Sequence, residues 1–392
     1  MKILRVTSDL YPFVIGGIGI HTHEMSKMQA ERGNDVTVIT FISMNSPEPK
    51  TNDYRIITIP VSFRLWGNSF SFSLPFRIWN ETENNDIVHA HSHLFFSTVI
   101  CAILRHFSST PLIITNHGLF SQTAPMWVQK IYMRTVGKWT LQSADTVICY
   151  TKEEKEQLMG YGIQEKKIEV IHNGISSTDF LPSLHGPDNQ ILWIGRFTPG
   201  KGVGILIDAF QTVHSSFPNY TLVMIGDGPL QSTIQEKITV MNLGSSINGI
   251  PYIPNRDLPG IYQHSTVFVL PSLEEGVPRT ILEAMSCGVP VVCTDLPQLK
   301  AIVEGCGIIV PVRDPEALAG AMCRLISDRE FAKQCGINGR ERIVGHYSWD
   351  DTVEQTLAHY EEVIQSIRNK GLPSEASHTP LIPVIPRGGR GK

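Results

Sequence analysis

Leu270-Pro271-Ser272-Leu273-Glu274-Glu275-Gly276-Val277-Pro278-Arg279-Thr280-Ile281-Leu282-Glu283-Ala284-Met285 is the stretch on which the reading of this chain turns. Its first residue ends a β-branched run, 267–270. Pro278 suits the first position of a helix, where a missing N–H is harmless. The loop between them therefore lies at the carboxyl end of a strand, the place where open α/β sheets bind ligands. The amides of Arg279, Thr280 and Ile281 belong to the donors of a helix start, suited to a diphosphate. Glu283 lies about 7–8 Å further along by helical rise, where a carboxylate can accept from ribose hydroxyls. Glu275 precedes the helix, on the far side of such a diphosphate, with Gly276, Val277 and Pro278 lining the space between. The competing reading is an ordinary helix start with acids placed favourably for the dipole.

Working outward, short apolar runs at 191–194, 221–225, 267–270, 289–293 and 307–310 alternate with helical patterns at 202–217, 229–241 and 315–326. That is the alternation of a parallel sheet covered by helices. Gly195-Arg196-Phe197-Thr198-Pro199-Gly200-Lys201-Gly202 joins the first of these strands to its helix. Arg196 and Lys201 could neutralise a diphosphate, one as a planar fork and one as a point charge; a surface loop with two solvated cations is the alternative. Gly226-Asp227-Gly228-Pro229 is a strand-to-helix turn. It either lines the same pocket with backbone or is simply tight.

The first half repeats the pattern. Runs at 3–7, 36–40, 56–60, 87–90, 112–115, 146–149 and 168–171 are strand-like, and several are apolar on both faces, as in a buried parallel sheet. Helical patterns at 20–32, 95–107 and 152–161 separate them. Gly16-Gly17-Ile18-Gly19 follows the first strand, a turn whose glycines let backbone approach a ligand; Thr22 stands where a dinucleotide fingerprint has its third glycine. His117, in Thr115-Asn116-His117-Gly118, again sits at a strand's carboxyl end, where it could bond a hydroxyl or serve as a packed structural residue. His89, His91 and His93 fall on one face by alternation, with nothing to complete a metal's ligand set.

With 392 residues, 42% hydrophobic and 18% charged, the chain has enough for two domains with real cores. A net charge of −4 gives no case for nucleic-acid binding. Seven cysteines without close pairing argue against a disulfide framework or zinc site and fit a reducing compartment. No signal peptide is legible at the start, and the longest apolar stretch, 94–104, is about half of the ~20 residues a spanning helix needs.

In order and spacing, Gly16-Gly17, His172-Asn173-Gly174, Arg196/Lys201, Gly226–Pro229, Leu270-Pro271-Ser272 and the glutamates at 275 and 283 resemble the retaining glycosyltransferases of the group-one family. The likeness covers roughly residues 1–365. It implies a GT-B fold: an α/β architecture of two Rossmann-like, doubly wound domains with a cleft between them. Residues 1–175 would form an acceptor domain, joined by a returning helix at about 350–369. Residues 176–349 would form the nucleotide-sugar domain, and 371–392 a disordered tail. Glu283 would bind the donor ribose. Arg196, Lys201, Gly17, Thr280 and Ile281 would hold the diphosphate. Gly16, Gly226, Gly276, Val277 and Pro278 would line the pocket. Glu275 and His117 would serve the transferred sugar. The donor would be a UDP-, GDP- or ADP-sugar, with no cofactor; in the absence of an Asp-x-Asp motif, no metal is expected either.

Two aromatic segments of the first half, Phe63 to Trp79 and Trp127 to Trp139, carry interleaved cations. They suit a membrane interface, and so peripheral contact of a cytoplasmic protein with a lipid-linked acceptor; core-facing aromatics with snorkelling cations are the alternative. A glycan is the other acceptor class. A nucleotide-sugar epimerase of the same fold and a sugar-nucleotide-binding protein without turnover remain as rival functions.

Overall fold

A computed structural model describes residues 1–8, 10–11, 17–42, 51, 53–120, 124–184 and 186–371. Gly16 and all of the expected tail but Gly371 lie outside them.

Two all-parallel sheets account for the chain's two halves. The first contains β1 (Lys2–Val6), β2 (Asp35–Ile42), β3 (Arg55–Pro60), β6 (Ile87–His91), β7 (Leu112–Thr115), β8 (Thr146–Cys149) and β9 (Ile168–Val170) in the order β3-β2-β1-β6-β7-β8-β9. The second contains β10 (Gln190–Ile194), β11 (Thr221–Ile225), β12 (Ile247–Ile250), β13 (Val267–Leu270), β14 (Val291–Thr294) and β15 (Gly307–Val310) in the order β12-β11-β10-β13-β14-β15. In both, the first strand lies inside the sheet and the order reverses beside it. That is the doubly wound Rossmann-like arrangement, and the reversal opens a crevice at the carboxyl ends of the strands. Strands β1, β6, β7, β8 and β13 are buried along nearly their whole length because helices cover both faces.

A short antiparallel hairpin, β4 (Phe63–Leu65) and β5 (Asn68–Phe70), stands apart from both sheets. Alternation within 63–70 is too brief to separate it from a helical or irregular aromatic segment. The Arg329–His346 helix was equally hard to foresee, since its exposed and buried positions give little amphipathic contrast.

The Trp349–Gly371 helix returns to the first sheet. Its buried residues Trp349, Val353, Tyr360 and Ile364 recur at helical spacing, and Tyr360 and Ile364 pack in one core with Ile3, Val38 and Ile113. The anchor is polar. Arg5 on β1 is fully buried and donates to Ser26 Oγ (2.9 Å), Gln29 Oε1 (2.7 Å) and the Tyr360 hydroxyl (3.2 Å). At the crossover, Ile175 bridges Ser348, and a Cβ on Gly174 would lie 2.6 Å from the Trp349 ring. The two chain crossings between the halves thus run side by side.

Removing the Tyr360 hydroxyl leaves a buried guanidinium short of an acceptor. Tyr360→Phe is expected to cost ~1–3 kcal/mol, read as a fall of a few degrees in Tm. An unchanged Tm would show that the returning helix is held by its apolar face alone.

Candidate functional site

The loop after β13 and the loop after β10 are locked together by backbone. Leu273 N–H donates to Gly200 C=O at 2.7 Å. Gly202 ends the Pro199–Lys201 turn with φ of 65°, and a Cβ there would lie 2.0 Å from Pro271 C=O. Only glycine meets both the conformation and the approach. Gly226 does the same on the other side: with φ of 138°, its Cβ would lie 1.9 Å from Gly195 C=O. Phe197 N–H then donates to Asp227 C=O at 2.7 Å. The three loops form one floor at the carboxyl ends of β10, β11 and β13.

On this floor Lys201 Nζ lies 2.6 Å from Glu275 Oε1, and Ser272 Oγ donates to the same oxygen at 2.7 Å. The Glu275 side chain is 5% exposed and that of Lys201 14%. Arg196 lies exposed at the rim of the same turn.

Pro278 is extended and caps the Arg279–Ser286 helix. The N–H of Ile281 is already used, donating to Pro278 C=O at 3.2 Å as the first turn closes tightly. This departs from the expectation of three free amides. Glu283, one turn on, is 3% exposed and accepts from the Tyr262 hydroxyl at 2.9 Å. Burial pushes its carboxyl pKa up, against the opposing pull of Arg279 and the Tyr262 hydroxyl.

Arg279 is a residue whose side chain sequence reasoning overlooked. Its amide was considered, yet its guanidinium is 8% exposed, with Nε 3.5 Å from Glu283 Oε1 and its centre 6.0 Å over the Trp349 ring. The i, i+4 spacing of Arg279 and Glu283 on a helix was the available signal. A Cβ on Gly17 would lie 3.9 Å from Arg279 Cδ. Gly17 begins the Gly17–Glu31 helix of the first half. Two helix N-termini, one from each half, therefore approach each other across the crevice.

The opposite wall carries His117. A Cβ on Gly276 would lie 3.6 Å from His117 C=O, so the loop after β13 touches the loop after β7. His117 Nε2 lies 3.0 Å from His91 Nδ1, and its Nδ1 lies 3.0 Å from the Tyr150 hydroxyl. His21 Nδ1 meets Asn173 Oδ1 at 2.8 Å. Ring nitrogens of His21, His91 and His117 all lie within 4.8 Å of one another, so these three could hold a metal ion. The run His89, His91, His93 serves separate partners. His89 pairs with Tyr360 and with Thr115 Oγ1 at 2.6 Å, and His93 Nδ1 meets Asn116 Oδ1 at 2.7 Å. Asn116 in turn donates to Glu154, which accepts the Tyr150 N–H at 2.9 Å.

Both halves thus define a two-domain GT-B protein, a nucleotide-sugar-transferase fold. The family model for group 1 glycosyl transferases matches residues 179–342, and that for glycosyltransferase family 4 matches residues 15–179. The chain belongs to the group 1 glycosyltransferases. It is 29% identical to an uncharacterized glycosyltransferase of Methanocaldococcus jannaschii, over 93% of this chain and 99% of that one. Among solved structures, the sucrose-phosphate synthase of Thermosynechococcus elongatus superposes with a TM-score of 0.79 at 23% identity, over 93% of this chain and all (100%) of that one. The Anabaena protein HepE, in complex with UDP and glucose, superposes with a TM-score of 0.77 at 18% identity, over 92% and 100%.

Burial lowers the imidazole pKa of His21 to about 3 and of His93 to about 4, and drives those of His89 and His91 well below the ordinary 6.5. Folded, these four stay neutral; unfolded, they take a proton near pH 6.5. The stability they contribute is full above that pH and is lost as pH falls, at ~1.4 kcal/mol per pH unit each. Glu154, pushed up to about 7 by burial, and Glu283 act with the opposite sign, losing stability as pH rises from 4.5. His117 and His23, whose pKa values burial also lowers, act in the same sense, so six imidazoles against two carboxyls leave the imidazoles dominant. Tm should therefore fall by several degrees from pH 7.5 to pH ~5.5. A flat or rising Tm over that interval would contradict the buried neutral histidines.

Proposed function

We propose that the chain is a retaining hexosyltransferase that takes its sugar from a nucleoside-diphosphate sugar without a metal ion. The observation that carries this reading is the meeting of cations and helix N-termini at one crevice. Lys201 beside Glu275, Arg279 beside Glu283, the exposed Arg196 on the loop after β10, and the starts of the Gly17–Glu31 and Arg279–Ser286 helices all border this crevice. The difficult event in glycosyl transfer is departure of a diphosphate from the anomeric carbon. Fixed positive groups aimed at that developing charge are the largest available lever.

In this reading Lys201 and Arg196 receive the leaving diphosphate, together with the amides of Gly17 and Thr280. Ile281 shares its amide with Pro278 and contributes least. Glu283 accepts from the donor ribose. Gly276, Val277, Pro278 and Gly226 line the pocket. Glu275, held by Lys201 and Ser272, has an oxygen left to meet the sugar and the positive charge at its anomeric centre. His117 stays neutral because burial, and next to it His21, push its pKa well down; with one ring nitrogen on His91 and the other on Tyr150, it meets a sugar hydroxyl by giving up one of those bonds, and it is not a fixed cation. Attack on the face that the diphosphate leaves, through an oxocarbenium-like state, gives retention without a covalent nucleophile.

UDP is the leading donor nucleotide, because it is bound by the HepE structure of the same fold; GDP and ADP are the alternatives. The acceptor is a glycan or a lipid-linked glycan, met by a protein working at the cytoplasmic side. Epimerisation and binding without turnover are disfavoured, since the two family models that match the chain are both of glycosyl transferases. Release of free nucleoside diphosphate that depends on added acceptor separates transfer from both.

Glu275→Gln should lower kcat by about a hundredfold or more while a thermal shift with UDP persists. Glu283→Gln should instead abolish most of the UDP shift. Activity should be unchanged after dialysis against EDTA. Loss of activity on chelation, restored by a divalent ion, would overturn the metal-free reading, and its persistence in His91→Ala would place that ion away from the His21, His91 and His117 nitrogens.

A further inference from the structure

All seven exposed phenylalanine and tryptophan side chains among the described residues lie between positions 63 and 139, although that span is a fifth of the chain. Phe63 is 49% exposed, Leu65 48%, Trp66 51% and Phe72 87% on and after the β4–β5 hairpin. Trp127 is 68% exposed and Ile131 57% on the Met126–Tyr132 helix. Single exposed apolar residues mean nothing, but a concentration of them does.

The hairpin and this helix border one loop. Asn68 on β5 donates to Leu94 C=O and accepts from Phe96 N–H, each at 3.0 Å. The Tyr132 hydroxyl donates to His93 C=O at 2.6 Å. Residues 93–96 follow β6, whose last residue His91 meets His117 in the crevice. The apolar surface therefore lies beside the mouth of the candidate site on the side of the first sheet.

Charge selects what covers it. Segments 63–80 and 124–143 carry Arg64, Arg77, Lys130, Arg134 and Lys138 and not one acid, in a chain whose net charge is −4. On the helix Trp127 and Ile131 fall one turn apart, and the exposed Lys130 is followed at the same spacing by the exposed Arg134 in the Met133–Gly137 turn that continues it. This is the composition of an element lying in a bilayer's headgroup plane.

Backbone conformation gives an independent sign. Trp66 has φ of 46° and Gly67 φ of 79°, the two-residue turn that closes a hairpin. Asparagine or glycine is the residue for the first of those positions. A tryptophan there strains the backbone, by about 1 kcal/mol or more, and such strain persists at functional sites.

We infer that the β4–β5 hairpin and the Met126–Tyr132 helix together dock this protein on an anionic lipid bilayer, with Trp66 and Trp127 at the headgroup boundary and Lys130 and Arg134 facing anionic lipid. No helix of the described residues is long and apolar enough to cross a membrane, so this contact is peripheral. The inference names the partner surface of the proposed transferase; it rests on that reading only for its consequence, that an acceptor's sugar end enters the crevice from the bilayer side past residues 93–96.

The test is flotation of the full chain with vesicles of phosphatidylcholine alone and with about a third phosphatidylglycerol. Wild type should float with the anionic vesicles, at least ~10-fold more than with neutral ones, and be released by high salt. Trp66→Asn relieves the strained turn and should leave Tm unchanged or higher. Combined with Trp127→Gln it should lower vesicle binding by about tenfold or more, and Lys130→Glu with Arg134→Glu should do likewise. No flotation of wild type, or undiminished flotation of both double variants, overturns the inference. So does a dimer in light scattering that the tryptophan variants dissolve, which would make the surface a contact between copies. The UDP thermal shift of all variants should match wild type; its absence even in wild type would count against the transferase reading and leave the docking result standing.

Discussion

An ammonium and a carboxylate 2.6 Å apart, both largely shut off from water, organise the candidate site: Lys201 and Glu275. Burying two charges is unfavourable unless geometry and extra hydrogen bonds offset it. Here Ser272 adds a bond to the same carboxylate oxygen, and the two loops are clamped by backbone at Leu273 and Gly200. Close approach is possible because Gly202 has no side chain to meet Pro271, and Gly226 none to meet Gly195. The pair thus fixes where Glu275 points, and an anionic ligand has to draw on the exposed Arg196 and the nearby helix starts as well as on Lys201.

That floor belongs to the second half, while its opposite wall belongs to the first, so the site depends on how the halves are tied. The tie is the returning helix. Tyr360 reaches Arg5 and His89, Trp349 packs against Gly174, and the Trp349 ring lies under Arg279. Arg279 then stands where the second half's helix start meets Gly17 of the first. A single arginine adjoins the Glu283 carboxylate, the Trp349 ring of the returning helix and the Gly17 turn, so it links the two halves at the crevice.

The fold was legible because parallel strands buried on both faces leave continuous apolar runs, as at 36–40 and 112–115, and because each half restarts with a strand feeding a glycine turn. Glu275 and Glu283 stand out in the sequence by their spacing around Pro278, and Lys201 by the glycine-rich turn after 191–194; the structure brings Lys201 and Glu275 together. What escaped has physical reasons. The hairpin at 63–70 is too short for its alternation to register. The guanidinium of Arg279 was passed over because its importance comes from Gly17 and Trp349, distant in sequence. The partners of His21, His91 and His117 likewise come from three separate elements, which no local pattern reveals. The aromatic segments were ambiguous between core and interface, and only solvent exposure separates the two.

One site is assembled from both halves around Lys201 and Glu275. Amide hydrogen exchange with and without UDP tests it most directly. Protection should rise together in segments 195–203, 271–283 and 17–21, the three stretches that meet at the crevice. Protection confined to one half, or centred away from residues 271–283, would contradict it.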